Sequence, residues 1–270
     1  KFLRLTILAT LFASGALASA EQPAPAESSS AAARPNIVWI FSDDHAFQAI
    51  GAYGGRFENE NLTPNIDSLA AEGMVFERAY VGNSICAPSR ATLLTGKHSH
   101  LNGKIDNRGG YNHDQQQFQK ILQKHGYQTA LIGKIHLDGK MQGFDYWEEL
   151  PGQGKYENPV FLSEKGKATY QGHSTDLITD KALDWLETGR DKEKPFMAMI
   201  HYKAPHRPWV PAKRFQEAFK NRTFPEPETL FDDYAGRGTA ANKQAMSIRK
   251  TMDMERDMKA HWPERKAYLN

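Results

Sequence analysis

Cysteine is almost missing from this sequence. Its 270 residues contain one, Cys86, which excludes an intramolecular disulfide framework and a multi-cysteine metal site. An excess of charge of either sign is missing too. There are 34 basic and 32 acidic residues, for a net charge of +2. That balance gives no electrostatic case for nucleic acid as a partner, which needs a clustered basic face. A hydrophobic run long enough to span a bilayer is also lacking near the N-terminus, where residues 5–12 form a short apolar stretch. Hydrophobic residues still make up 40% of the chain, enough for a sizeable core. The length suits one large α/β domain or two small ones.

Lys1 and Arg4, the apolar run, and Ala18-Ser19-Ala20 as a small-residue cleavage site read together as a signal peptide over residues 1–20. The expected location is therefore outside the cytoplasm, periplasmic or secreted. No stable membrane anchor is expected, because no cysteine follows the run to carry a lipid. Residues 21–33 are rich in Pro, Ala, Ser and Glu and read as a flexible linker. Folded sequence is expected from Arg34, and 34–270 is read as one stretch of domain. In an exported protein a lone thiol demands an explanation, since it risks oxidation.

Residues 36–41 have the length and apolarity of a buried strand. Thr63 as N-cap and Pro64 at the first helical position open a helix that Gly73 closes. Residues 74–81 read as a second strand, and 88–95 as a short helix stopped by Gly96. Phe118, Ile121 and Leu122 give residues 114–125 helical periodicity. A third strand is expected over 127–132, then a long irregular excursion over 133–173. Ser174 is expected to cap an amphipathic helix with Leu177, Ile178, Ala182, Leu183 and Leu186 on one face. Residues 195–202 read as a fourth strand. Strands alternating with helices imply an α/β fold, a mostly parallel central sheet sandwiched by helices.

This layout places Asp43 and Asp44 just past the first strand, Lys134 and His136 past the third, and His206 past the fourth. Ligands of open α/β sheets bind beyond the carboxyl ends of the strands, so three distant segments converge on one sheet edge. Adjacent carboxylates repel unless a cation separates them. Asp43 and Asp44 are either a solvated turn or ligands of a hard divalent ion such as calcium. Cys86 precedes a short helix, whose N-terminal field suits sulfate or phosphate, and Arg90 adds a permanent charge one turn on. Cys86 is otherwise a buried structural cysteine or a thiolate nucleophile. Two facing carboxylates are expected to disfavour the thiolate.

Cys86-Ala-Pro-Ser-Arg90, followed by Ala-Thr-Leu-Leu-Thr-Gly96, resembles the signature of the type I sulfatases of the alkaline-phosphatase-like superfamily. Pro35-Asn36-Ile37 leading to Asp43-Asp44, then Thr63-Pro64-Asn65-Ile66-Asp67, resembles the opening of that family. Gly133-Lys134-Ile135-His136 matches its Gly-Lys-x-His motif, with Ile135 where Trp is usual, and Pro205-His206-Arg207-Pro208 matches its Pro-His motif. The resemblance implies that Cys86 is converted by a sulfatase-maturating enzyme to formylglycine (3-oxoalanine), whose hydrate attacks sulfur. It further implies that Asp43, Asp44 and the residue at 86 hold calcium. Arg90 and Lys134 steady the charge, His136 takes a proton, and His206 protonates the leaving oxygen. His45, next to the aspartates, is expected in a supporting role.

The family's remaining metal ligands and a late lysine follow the Pro-His motif at a distance. No such segment follows His206, and Asp232-Asp233-Tyr234 sits in a loop-like stretch. The chain is therefore read as the N-terminal part of a catalytic domain, ending in a polar helical segment around 246–259. Residues 144–154, 204–209 and 225–233 resemble bacterial sulfatases acting on glucosamine 6-sulfate in host glycans. The implied partner is a sulfated glycan. Tyr146, Trp147 and Trp209 are expected in loops beyond strand ends, with faces available to a sugar ring. Two other readings remain open: a phosphate or phosphonate esterase of the same superfamily, and a non-catalytic binder of sulfated glycans.

Overall fold

The computed structural model describes residues 34–224, 227–229, 232–244, 251–252 and 257. The signal peptide and linker expected over 1–33 and most of the helical segment expected over 246–259 lie outside the described residues. So does part of the stretch 225–233.

The elements in chain order are β1 (Ile37–Phe41), α1 (Pro64–Glu72), α2 (Cys86–Thr95), α3 (Ser99–Asn102), α4 (Phe118–Lys124) and β2 (Gln128–Lys134). There follow β3 (Tyr146–Leu150), β4 (Val160–Ser163), β5 (Gly166–Thr169), α5 (Ser174–Asp184), β6 (Phe196–His201) and α6 (Thr239–Lys243). They build one six-stranded sheet in the order β1-β6-β2-β3-β4-β5. The first four of these strands are parallel, and β4 and β5 add an antiparallel hairpin. The expected α/β architecture with a mostly parallel sheet is the one observed.

The central strands are apolar on both sides because both sides are covered. Leu131, Met197 and Met199 face Ala87, Ala91 and Leu94 of α2. Ala130, Ile132, Ala198 and Ile200 face Ile178 and Ala182 of α5. Each large side chain so buried contributes about 1.5–3 kcal/mol. Gly133 shows how closely β2 and β6 approach. Its φ is +108°, and a Cβ there would stand 1.9 Å from the carbonyl oxygen of His201. Only glycine fits, which gives the first residue of the Gly-Lys-x-His run a steric reason.

The sequence misplaces several elements. Residues 74–81 form no strand. They find no ladder partner among the described residues, and Met74, Phe76 and Tyr80 stay exposed. β1 is an edge strand whose Val38 and Ile40 are about half exposed, rather than a fully buried one. Residues 133–173, expected to be irregular, contain three strands. β3 reads Tyr-Trp-Glu-Glu-Leu, and its half-buried pattern hides it from a search for apolar runs. α4 begins at Phe118 instead of 114, after a polar turn. α5 is capped by His173, whose ring accepts from the Thr175 N–H, and Ser174 is its first helical residue. Leu183, expected on the apolar face of that helix, is exposed. Thr63 does stand at the N-cap of α1, but its hydroxyl donates to Asp67 Oδ1 instead of capping, and accepts from Gly51 N–H.

Candidate active site

The carboxyl ends of β1, β6 and β2 lie side by side, and the predicted groups collect there. Asp43 is tied to the loop after β6 by its N–H, which donates to Ala204 O at 3.1 Å. Its carboxylate is buried between two cations: Oδ2 pairs with the ammonium of Lys134, and Oδ1 stands 3.5 Å from Nη2 of Arg90. Arg90 is itself buried. Its Nη1 donates to the carbonyl of Lys134 and lies 3.1 Å from Nδ1 of His201. Burial, with Arg90 beside it, drives the His201 pKa far below its usual value. The ring is therefore neutral and can accept. Beneath the site, Asp43, Lys134, Arg90 and His201 form one buried polar cluster.

Asp44 turns the other way. Its φ of +62° rotates the carboxylate out of the cluster, and Nε2 of His206 approaches Oδ2 at 3.5 Å. His136 (φ +53°) and Trp209 (φ +50°) are likewise left-handed. Such backbone costs about 1–3 kcal/mol per residue and gathers at functional sites. His45 hydrogen-bonds Ser42 at 3.4 Å, a local contact, so its supporting role has no contact to either aspartate to stand on.

Cys86 is the first residue of α2. The N-cap, Ile85, offers no side-chain acceptor, so a distant residue takes that part. Ala87 N–H donates to Oδ1 of Asn107 at 3.0 Å, and Nδ2 of Asn107 faces Cys86 Sγ at 3.7 Å. The Asn107 loop is braced by the buried ammonium of Lys104, which donates to the carbonyls of Arg108 (3.1 Å) and Gly109 (2.6 Å). Nε2 of Gln153 faces the same sulfur at 3.8 Å, while Oε1 of Gln153 accepts from Lys134. Burial acts to raise the Cys86 thiol. Hydrogen bonds from His136 and His206, together with the Lys134 charge, outweigh it and bring the pKa down to about 5. Asp43 does act against the thiolate, as expected of a carboxylate, but the two histidines and Lys134 outweigh it. The bond to Cys86 in turn raises His206, against the opposing effect of burial.

Asp44, Cys86, Gln153, Lys203, His206 and Trp209 line a cavity of about 960 Å³. Trp209 is 41% exposed there, as expected of a loop aromatic. Tyr146 and Trp147 are instead in β3 and pack against the two cores, so they are removed from the site. Asn107, Gln153 and Lys203 were missed. The first two lie in loops that reach Cys86 only through folding, and no local pattern marks them. Lys203 stands three residues before His206, and that adjacency was the available signal.

Among the described residues no group of three or more His, Cys, Asp and Glu stands ready around a metal ion. Asp43 and Asp44 are hard oxygen donors, the kind calcium takes, and fit it as two of the six to eight oxygens it needs.

A mostly parallel sheet carries, at one edge, a cysteine at a helix N-terminus, carboxylates past β1 and a Lys-x-His run that starts on the last residue of β2, an arrangement suited to holding an anion. The chain belongs to the sulfatase family, whose model matches residues 35–259. It is 51% identical over 229 residues to the N-acetylglucosamine-6-O-sulfatase of Bacteroides thetaiotaomicron, covering 84% of this chain and 40% of that protein. It is 32% identical over 214 residues to the human N-acetylglucosamine-6-sulfatase, covering 70% of this chain and 37% of that one. Among solved structures it superposes with a TM-score of 0.80, at 50% identity, on BT4656 in complex with its substrate D-glucosamine-2-N,6-O-disulfate. That match covers 87% of this chain and 47% of the other. The chain therefore spans about two fifths of the length of the curated relatives.

Proposed function

We propose that the protein hydrolyses a sulfate ester on a glycan, the 6-O-sulfate of N-acetylglucosamine. The observation that carries this reading is Cys86. It sits at the N-terminus of α2, hydrogen-bonded by two histidines from different strand ends, and it opens on a cavity of monosaccharide-to-disaccharide size. The names of the relatives support the sugar and the position of the ester.

Conversion of Cys86 to formylglycine by a maturating enzyme would supply a hydrated aldehyde as the nucleophile. Calcium, held in part by Asp43 and Asp44, would supply charge neutralisation. The remaining work falls to the side chains of the chain itself. Lys134 and Arg90 hold Asp43 fixed and keep the floor of the site positive. Asn107 and Gln153 orient residue 86 through paired amide contacts. His136 stands against the reacting atom of residue 86 and is placed to take its proton. His206 also stands against residue 86, on the cavity wall, and is placed to give a proton to the leaving sugar oxygen. Tyr156 keeps His206 in place by donating its hydroxyl to the His206 carbonyl. Trp209 offers an exposed aromatic face at the cavity wall for the sugar ring.

The test is a panel of sulfated monosaccharides and oligosaccharides, with matched phosphate esters, offered to the protein at its full length after expression beside a maturating enzyme. N-acetylglucosamine 6-sulfate should be cleaved ahead of galactose, galactosamine and uronate sulfates. A preference for a uronate 2-sulfate or an N-sulfate removes the sugar assignment, and a preference for the phosphate esters removes the reaction.

A further inference from the structure

Lys203 is a buried cation that the motifs do not include. It is 3% exposed and lies two residues beyond β6, on the wall of the cavity that Cys86 opens on. An ammonium has three N–H donors and no acceptor. In this structure Nζ makes one hydrogen bond, to the carbonyl of Gln153 at 3.0 Å, and stands 5.0 Å from the centre of the Tyr156 ring. Arg90 and Lys134 both pair with Asp43, and Arg207 on the same wall pairs with Asp257. Among the described residues Lys203 has no carboxylate in ion-pair contact. Asp43 and Asp44 act on it only at longer range, and against them stand its own burial and the repulsion of Lys134.

A charged group taken out of water needs compensation, and a neutral carbonyl with one ring face gives little of it. A negative ligand in the cavity would complete it. Lys203 is within electrostatic reach of Cys86 and Lys134, so the charge it would meet is on the reacting group, not on a distant part of a saccharide.

Resting on the reading of the site as a sulfatase, we propose that Lys203 is a substrate-binding residue whose ammonium takes a non-bridging oxygen of the sulfate ester. Gln153 aligns it: the carbonyl of that residue anchors Lys203 while its side-chain amide spans Lys134 and Cys86. One loop thereby sets the spacing between two cations and the nucleophile position.

The test uses inorganic sulfate, the product, as a competitive inhibitor of the full-length protein, alongside KM and kcat for N-acetylglucosamine 6-sulfate. Lys203→Gln keeps a donor toward the Gln153 carbonyl and removes the charge. Lys203→Met removes both. A charged hydrogen bond contributes about 1.5–3 kcal/mol, so each variant should raise the inhibition constant of sulfate and KM by roughly 10- to 100-fold. The melting temperature should hold or rise, since an uncompensated buried charge has gone. An unchanged inhibition constant in whichever variant folds overturns the proposal and leaves Lys203 as a prop for the Gln153 loop. A wild-type protein that hydrolyses no sulfate ester and is blind to inorganic sulfate overturns instead the reading on which the proposal rests.

Discussion

The ammonium of Lys134 pairs with the carboxylate of Asp43 across the carboxyl end of β6, with Lys134 fully buried and Asp43 nearly so. Removing one partner of such a pair leaves an uncompensated charge in the interior. Lys134→Ala should therefore lower unfolding free energy by about 3 kcal/mol, the low end of the usual range because Arg90 still faces Asp43. Lys134→Ala with Asp43→Asn should lose less than the two single changes added together. Denaturant unfolding of the four proteins measures this, and strict additivity would break the claimed coupling.

Gly133→Ala should be the most damaging glycine substitution near the site. The new Cβ would meet the His201 carbonyl at 1.9 Å with φ at +108°, and its two nearest neighbours are backbone atoms of His201, which cannot swing aside. Gly152→Ala is the control. Its φ is +57°, but no atom stands within 4 Å of the new carbon, so only the backbone penalty of about 1–2 kcal/mol applies. Thermal melts of the two variants should separate clearly, with Gly133→Ala much the lower.

Glu149 gives the fold a pH dependence of unusual sign. Burial, assisted by Asp138, raises its pKa from 4.5 to about 7, and its Oε2 has no hydrogen-bond partner. The folded state then holds a proton that the unfolded state releases. Between about pH 4.5 and pH 7 the unfolded chain binds fewer protons at this group, so its contribution to stability falls as pH rises. Glu149→Gln should remove that slope. Unfolding free energies at pH 5 and pH 7 should converge relative to wild type, and an identical pH profile in the variant would contradict the assignment.

How much of this was legible in the sequence depends on the range of the interactions. β2 and β6 were legible because strands covered on both faces carry continuous apolar runs, here residues 130–132 and 196–200. The convergence of Asp43, Lys134 and His206 followed from their positions at the ends of three expected strands and the rule that parallel sheets bind ligands beyond those ends. β3 was not legible, because its Glu148 turns to Lys181 and its Glu149 into the other face, facts of packing. The apolar run at 74–81 misled for the opposite reason: hydrophobicity without a ladder partner does not make a strand. Asn107 and Gln153 reach Cys86 from 21 and 67 positions away, and no periodicity encodes such contacts.

If His206 protonates the leaving oxygen, its loss should depend on the leaving group. His206→Gln should slow release of sulfate from a sugar by about 10²-fold or more, the usual scale for a general acid. The same change should matter far less for 4-nitrophenyl sulfate, whose phenolate leaves without a proton. Steady-state rates on both substrates give the comparison, and equal losses would assign His206 to positioning alone.

Residue 86 is proposed to work as a converted cysteine. The most direct measurement is mass spectrometry of the peptide containing residue 86, after iodoacetamide treatment, from protein expressed with and without a sulfatase-maturating enzyme. An unconverted Cys86, with its pKa brought down to about 5, is a thiolate at neutral pH and should alkylate readily. With the maturating enzyme present, the peptide should carry an aldehyde, resist alkylation, and appear in proportion to sulfatase activity. A fully alkylatable Cys86 in protein that hydrolyses the sulfate ester at the same rate would contradict it.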